Sequence, residues 1–166
     1  YSSDRWEESR NGQQFRRGLY TFWRRTSAYA SFVVFDSPSR EVCTERRARS
    51  NTPVQALVTL NDPAFVVAAN ALARAIVREG GTDPASRLEY AFRRVLSRFP
   101  TPPEAARMLA LYESSARRFQ QSPDKATALL TVGLPAPADG EPLPELAAWQ
   151  VVANALLNLD EALTKG

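Results

Sequence analysis

Five times along the chain an oxygen-bearing side chain is followed at once by proline: Thr52-Pro53, Asp62-Pro63, Asp83-Pro84, Thr101-Pro102 and Ser122-Pro123. Such an oxygen, placed just before a helix, accepts from an orphan N–H of the first turn. Proline suits the next position, because its missing donor would find no partner there. The five pairs therefore predict five helix starts. Thr101 with Glu104 adds the spacing of a capping box, and Ser37-Pro38 predicts a further short helix carrying Arg40, Glu41 and Cys43.

The apolar spacing agrees with these starts. Phe65, Ala69, Leu72 and Ile76 share one helical face, and Gly80-Gly81 ends it. Leu88, Phe92 and Val95 repeat the pattern up to Pro100, and Met108, Leu109, Tyr112, Ala116 and Phe119 form the longest stripe. A shorter helix holds Ala126, Leu129 and Leu130, and a last one, from about Pro144 to Leu159, turns Leu146, Trp149, Ala153, Leu156 and Leu157 inward. Upstream, Phe15, Leu19, Phe22 and Trp23 predict a helix over 13–26, whereas 29–35, rich in β-branched and aromatic residues, reads as an extended buried segment. The fold class is all-α: antiparallel helical hairpins, about six to seven helices, with an extended irregular N-terminal third. Residues 1–12 read as a flexible lead-in anchored by Trp6, and 13–166 as a single helical domain with a Pro/Gly-rich loop at 133–144.

Composition narrows the chemistry. There is no histidine, and Cys43 is the only cysteine. Ser-His-Asp and Cys-His catalysis, His-ligated haem, paired-cysteine zinc sites and an intrachain disulfide are thereby removed. No metal site and no cofactor is expected in this chain. No apolar run approaches the roughly 20 residues of a membrane helix, and no signal peptide is visible in the residues present.

The net charge of +3 is unevenly spread: residues 1–50 carry ten arginines against six carboxylates. The remainder holds eleven basic and twelve acidic residues. Arg24, Arg25, Arg40, Arg46, Arg47 and Arg49 are the candidate binding residues, because arginine pairs bidentately with carboxylate, sulfate or phosphate. Interleaved acidic residues and the absence of a nucleic-acid motif make nucleic acid the third choice of ligand. A carboxylate pair, Asp36 with Glu41 or Glu45, is the weak catalytic candidate, since two carboxylates can run acid–base or glycosidase chemistry without histidine. The competing reading makes Asp62 a helix cap, pairs Asp36 and Glu41 with arginines, and buries Cys43 as an inert thiol on a short helix.

The run Arg16-Arg17-Gly18-Leu19-Tyr20-Thr21-Phe22-Trp23-Arg24-Arg25-Thr26 resembles a known signature. So do Phe35-Asp36-Ser37-Pro38-Ser39-Arg40-Glu41-Val42-Cys43, Asn51-Thr52-Pro53-Val54-Gln55-Ala56-Leu57, Leu60-Asn61-Asp62-Pro63 and the ending Ala153 to Glu161. Together they resemble the planctomycete-type PSD-one module, a domain of unknown function, of which this chain is similar to the C-terminal part. It departs at Ser27-Ala28-Tyr29-Ala30, where the family usually has a proline-rich turn.

The resemblance implies a periplasmic, extracellular or cell-envelope setting in a large exported bacterial protein. Such proteins often carry a cytochrome-c-like domain, so haem belongs to another domain, and they are associated with polysaccharide breakdown. It implies no catalytic residues. Trp23, Asp36, Arg40, Glu41, Cys43, Asn51, Asn61 and Asp62 are then a structural polar core. The leading expectation is a non-catalytic scaffold or interaction module whose arginine-rich first third docks a domain of the same polypeptide or an anionic polysaccharide. The runner-up is a carbohydrate-active enzyme module.

Overall fold

The computed structural model describes residues 12–23, 29–39, 41–46, 50–135, 137–138 and 140–163. The lead-in with Trp6, and Arg24, Arg25, Arg40, Arg47 and Arg49, lie outside the described residues. The chain divides into two compact units, Tyr1–Val58 and Thr59–Gly166. Eight α-helices and no strand occur among the described residues: α1 Ala30–Val34, α2 Pro53–Asn61, α3 Pro63–Glu79, α4 Pro84–Leu96, α5 Pro102–Gln121, α6 Pro123–Leu130, α7 Leu143–Leu157 and α8 Asp160–Leu163.

All five oxygen–proline pairs begin a helix. The capping bonds differ from pair to pair. Asp62 accepts from the Ala64 N–H at 2.9 Å, and Asp83 from those of Ala85 and Ser86 at 3.0 Å each. Thr52 and Gln55 form a reciprocal box: the Thr52 hydroxyl accepts from the Gln55 N–H at 3.3 Å, and the Gln55 side chain accepts from the Thr52 N–H at 2.9 Å. Glu104 accepts from the Thr101 N–H at 2.7 Å. At Ser122 the side chain makes no capping bond, and its backbone carbonyl accepts from Lys125 instead.

In the second unit α7 is the central helix. Leu146, Ala147, Ala148, Trp149, Gln150, Val152, Ala153 and Leu156 are all buried, so the helix is covered well beyond one stripe, and least along Val151, Asn154 and Ala155. It meets α3, α4, α5, α6 and α8. Each large side chain removed from water there contributes about 1.5–3 kcal/mol. Ile76 of α3, Leu88 and Phe92 of α4, Phe119 of α5 and Leu130 of α6 complete the core. Its alanines, Ala69, Ala73, Ala91, Ala147 and Ala153, let the helix backbones approach.

In the first unit the expected helix over 13–26 is replaced by two single 3₁₀ turns, Gln13–Phe15 and Gly18–Tyr20. Phe15, Leu19 and Phe22 are exposed there, so no buried face stabilises a longer helix against its nucleation cost. Gly18 also stands where the Phe32 ring packs, a Cβ there coming within 2.9 Å of the ring. The segment expected to be extended is α1, and Phe32 on it stacks on Trp23 with ring centroids 5.4 Å apart and meets Tyr29 edge-on at 5.5 Å. The helix expected after Ser37-Pro38 is absent: described residues 37–46 are bends and coil. No single helix among the described residues is long and apolar enough to cross a membrane.

Candidate functional site

Asp36 is the pivot of the first unit. It follows α1 with φ 54°, a left-handed conformation that aspartate tolerates better than most residues. The Ser37 N–H then reaches the Phe32 carbonyl at 2.8 Å, the long bond of a Schellman helix end. Its carboxylate accepts from the Ser50 N–H at 3.0 Å, from the Ser50 hydroxyl, and from Nε2 of Gln55 at 3.4 Å. Gln55, 3% exposed, also donates to the Val34 carbonyl at 2.8 Å. One acid thus ties the end of α1 to the start of α2 across the intervening loop.

This arrangement is that of a tether: one Asp36 oxygen takes all three of these donors. Glu41 and Glu45 are exposed, and neither they nor Asp36 line either of the two clefts described below. Among the described residues no group of three or more His, Cys, Asp or Glu side chains could hold a metal ion.

The remaining predicted residues separate. Trp23 is half-buried in the aromatic stack on Phe32, and Asp62 caps α3. Glu41, Asn51 and Asn61 are exposed, so they are no part of a buried polar core. Cys43 is also exposed and lies outside any helix, which corrects the expectation of an inert thiol buried on one. The loop that carries it has no amphipathic period and nothing to bury. Of the arginines singled out for binding, Arg46 is the described one, and it is exposed. Arg16 and Arg17 are exposed as well, within the run Phe15, Leu19, Tyr20 and Phe22. The Arg16 guanidinium lies 4.6 Å from the centre of the Tyr20 ring.

Several charges of the second unit are paired with one another. Arg98 donates to both oxygens of Glu104, at 2.9 and 2.7 Å, and to both oxygens of Glu161, at 2.9 and 3.0 Å. The Arg98 bonds, aided by Thr101, hold the Glu104 carboxyl down to about 2. Arg87 pairs with Glu145 while donating to the Gly81 carbonyl at 3.0 Å, and Arg74 pairs with Glu141. An open polar groove of about 400 Å³ runs along Glu79, Tyr90, Arg93 and Arg94. There the Tyr90 hydroxyl donates to Glu79 at 2.6 Å; this bond and the Arg78 bond lower the Glu79 pKa, and the same contact raises that of Tyr90. A smaller, apolar cleft of about 180 Å³ opens beside Gln150 and Asn154 of α7.

No curated protein and no solved structure matches the chain. The family model PSD1, described as a protein of unknown function (DUF1553), matches residues 1–112. That is more than half of the chain and takes in every signature up to Asp62-Pro63, while the ending from Ala153 to Glu161 lies beyond the match. The chain belongs to the PSD1 (DUF1553) family.

Proposed function

We propose that this chain is a non-catalytic helical module of an exported bacterial multidomain protein, and that its arginine-rich first third docks an acidic partner. The observation that carries the reading is the run 15–22. There Phe15, Leu19, Tyr20 and Phe22 are 57–74% exposed with Arg16 and Arg17 among them. Exposed aromatic and aliphatic side chains mixed with arginine are the composition of a protein interface rather than of an ordinary solvated surface. The excess positive charge of residues 1–50 gives that surface its preference for an acidic partner. Two partners fit the family setting: the cytochrome-c-like domain of the same polypeptide, and an anionic polysaccharide.

The test is binding of each partner to the whole chain at low and high salt. Arg16→Glu with Arg17→Glu, and separately Arg24→Ala with Arg47→Ala, are the variants. The reading expects binding that weakens with salt and falls at least about tenfold in the charge-reversed pair, the equivalent of 1.4 kcal/mol. Salt-independent binding, or binding that both variants retain, overturns it.

A further inference from the structure

A cleft in the second unit is independent of the arginine-rich segment and of the docking role proposed for it. Leu60, Leu111, Leu129 and Val151 supply its aliphatic wall, and Gln150 and Asn154, four residues apart on α7, supply its polar one. The orientation of both carboxamides follows from their partners. Arginine can only donate, so Nε of Arg74, at 2.9 Å, identifies Oδ1 of Asn70 as the acceptor. Asn70 therefore presents Nδ2 to Gln150, 2.9 Å from Oε1, which leaves Nε2 of Gln150 as the group still to be satisfied. A backbone carbonyl can only accept, so the Leu60 carbonyl, 3.4 Å from Nδ2 of Asn154, leaves Oδ1 of Asn154 as the free acceptor.

Nε2 of Gln150 and Oδ1 of Asn154 are both buried and have no hydrogen-bond partner among the described residues. Gln150 as a whole is 1% exposed. Leaving such a group unpaired costs about 1–3 kcal/mol, a deficit that a ligand offering the matching groups removes. The complement of one donor and one acceptor beside an aliphatic wall is a secondary amide attached to an aliphatic side chain.

We propose that this cleft binds a peptide segment. An aliphatic side chain enters among Leu60, Leu111, Leu129 and Val151. The adjoining peptide group accepts from Nε2 of Gln150 through its C=O and donates to Oδ1 of Asn154 through its N–H. The lining carries no charged and no aromatic residue, so it offers nothing for an ionic group to pair with and no ring face for a sugar.

The test is a titration of the ¹⁵N-labelled chain with N-acetyl-leucine N-methylamide, read at the side-chain amide resonances of Gln150 and Asn154. Both are expected to shift and to saturate. An analogue methylated on every amide nitrogen, which lacks the donor, and Asn154→Leu, which lacks the acceptor, are each expected to bind at least about tenfold more weakly. Leu129→Phe, which fills the cleft, is expected to abolish the shifts while the backbone amide spectrum stays dispersed. N-acetylglucosamine, an amide without the aliphatic chain, is expected to leave both resonances in place. Absence of saturable shifts in the parent chain overturns the proposal. So do equal affinity for the methylated analogue, an equal response to N-acetylglucosamine, or a resident water that the peptide does not displace. The analogue comparison uses the unaltered protein, so it decides the matter even if a variant fails to fold.

Discussion

At φ 54° Asp36 both terminates α1 in a left-handed turn and accepts the donors that bring Ser50 and Gln55 to it. These two duties separate by substitution. Asp36→Ala loses the carboxylate bonds and strains the turn, and is expected to destabilise the first unit by about 2–3 kcal/mol. Asp36→Gly loses the same bonds but not the backbone fit, and is expected to recover about 1 kcal/mol of that. Urea melts followed by Trp23 fluorescence measure the difference; equal melts for the two variants would show that the turn is unstrained. A second position, Gly80, meets a harder limit. A Cβ there would stand 2.5 Å from the Ile76 carbonyl and 2.9 Å from Cα of Arg87, both backbone atoms that cannot swing aside. Gly80→Ala is expected to cost about 1–3 kcal/mol in the second unit, measured by thermal melting. At this scale the cap at Asp62 was legible because its partner is two residues away in sequence. The role of Asp36 was not, because its partner Ser50 is fourteen residues off. Gln150 was missed for a related reason. Its one visible signal is a carboxamide set between Trp149 and Val151 in a mostly apolar helix, and its partner Asn70 lies eighty residues away.

Among the elements, the five helices begun by an oxygen–proline pair with an apolar run behind it are legible in the sequence because capping chemistry is local, whereas Ser37-Pro38, which has no such run behind it, begins no helix among the described residues. Periodicity alone also misleads. Phe15, Leu19, Phe22 and Trp23 have helical spacing, yet a stripe makes a helix only when something covers it, and the first three are exposed. In α7 the difference runs the other way: a single inward stripe is expected of a helix that is buried well beyond one stripe. The start of α5 offers a pH test. The folded pKa of Glu104, about 2, lies below its ordinary value of 4.5, because Arg98 and Thr101 donate to the charged form. The stabilisation is therefore present above about pH 4.5 and is lost as the pH falls through about 2. Glu104→Gln is expected to flatten the acid side of a stability–pH curve over that window and to leave the neutral side sloped as before. An unchanged acid limb would show that Arg98 does not hold this carboxylate in solution.

Across the molecule, the two units differ in what sustains them. Every buried hydrophobic residue among those described, from Val66 to Leu156, belongs to the second unit, while Gln55 is the one buried residue described in the first. The first unit is therefore expected to unfold at lower denaturant. Trp23 reports on it and Trp149 on the second unit, so the double Trp6→Phe, Trp149→Phe and Trp6→Phe, Trp23→Phe variants give separate curves. Coincident midpoints would mean the chain unfolds as one. A weakly held first unit that displays arginine and aromatic side chains accords with a segment completed by its partner. The central claim, docking without catalysis, is tested most directly by incubating the chain with a sulfated polysaccharide and measuring retention and the release of reducing ends together. The account predicts salt-sensitive retention and no release of reducing ends. Release of reducing ends that disappears in Asp36→Asn would contradict it.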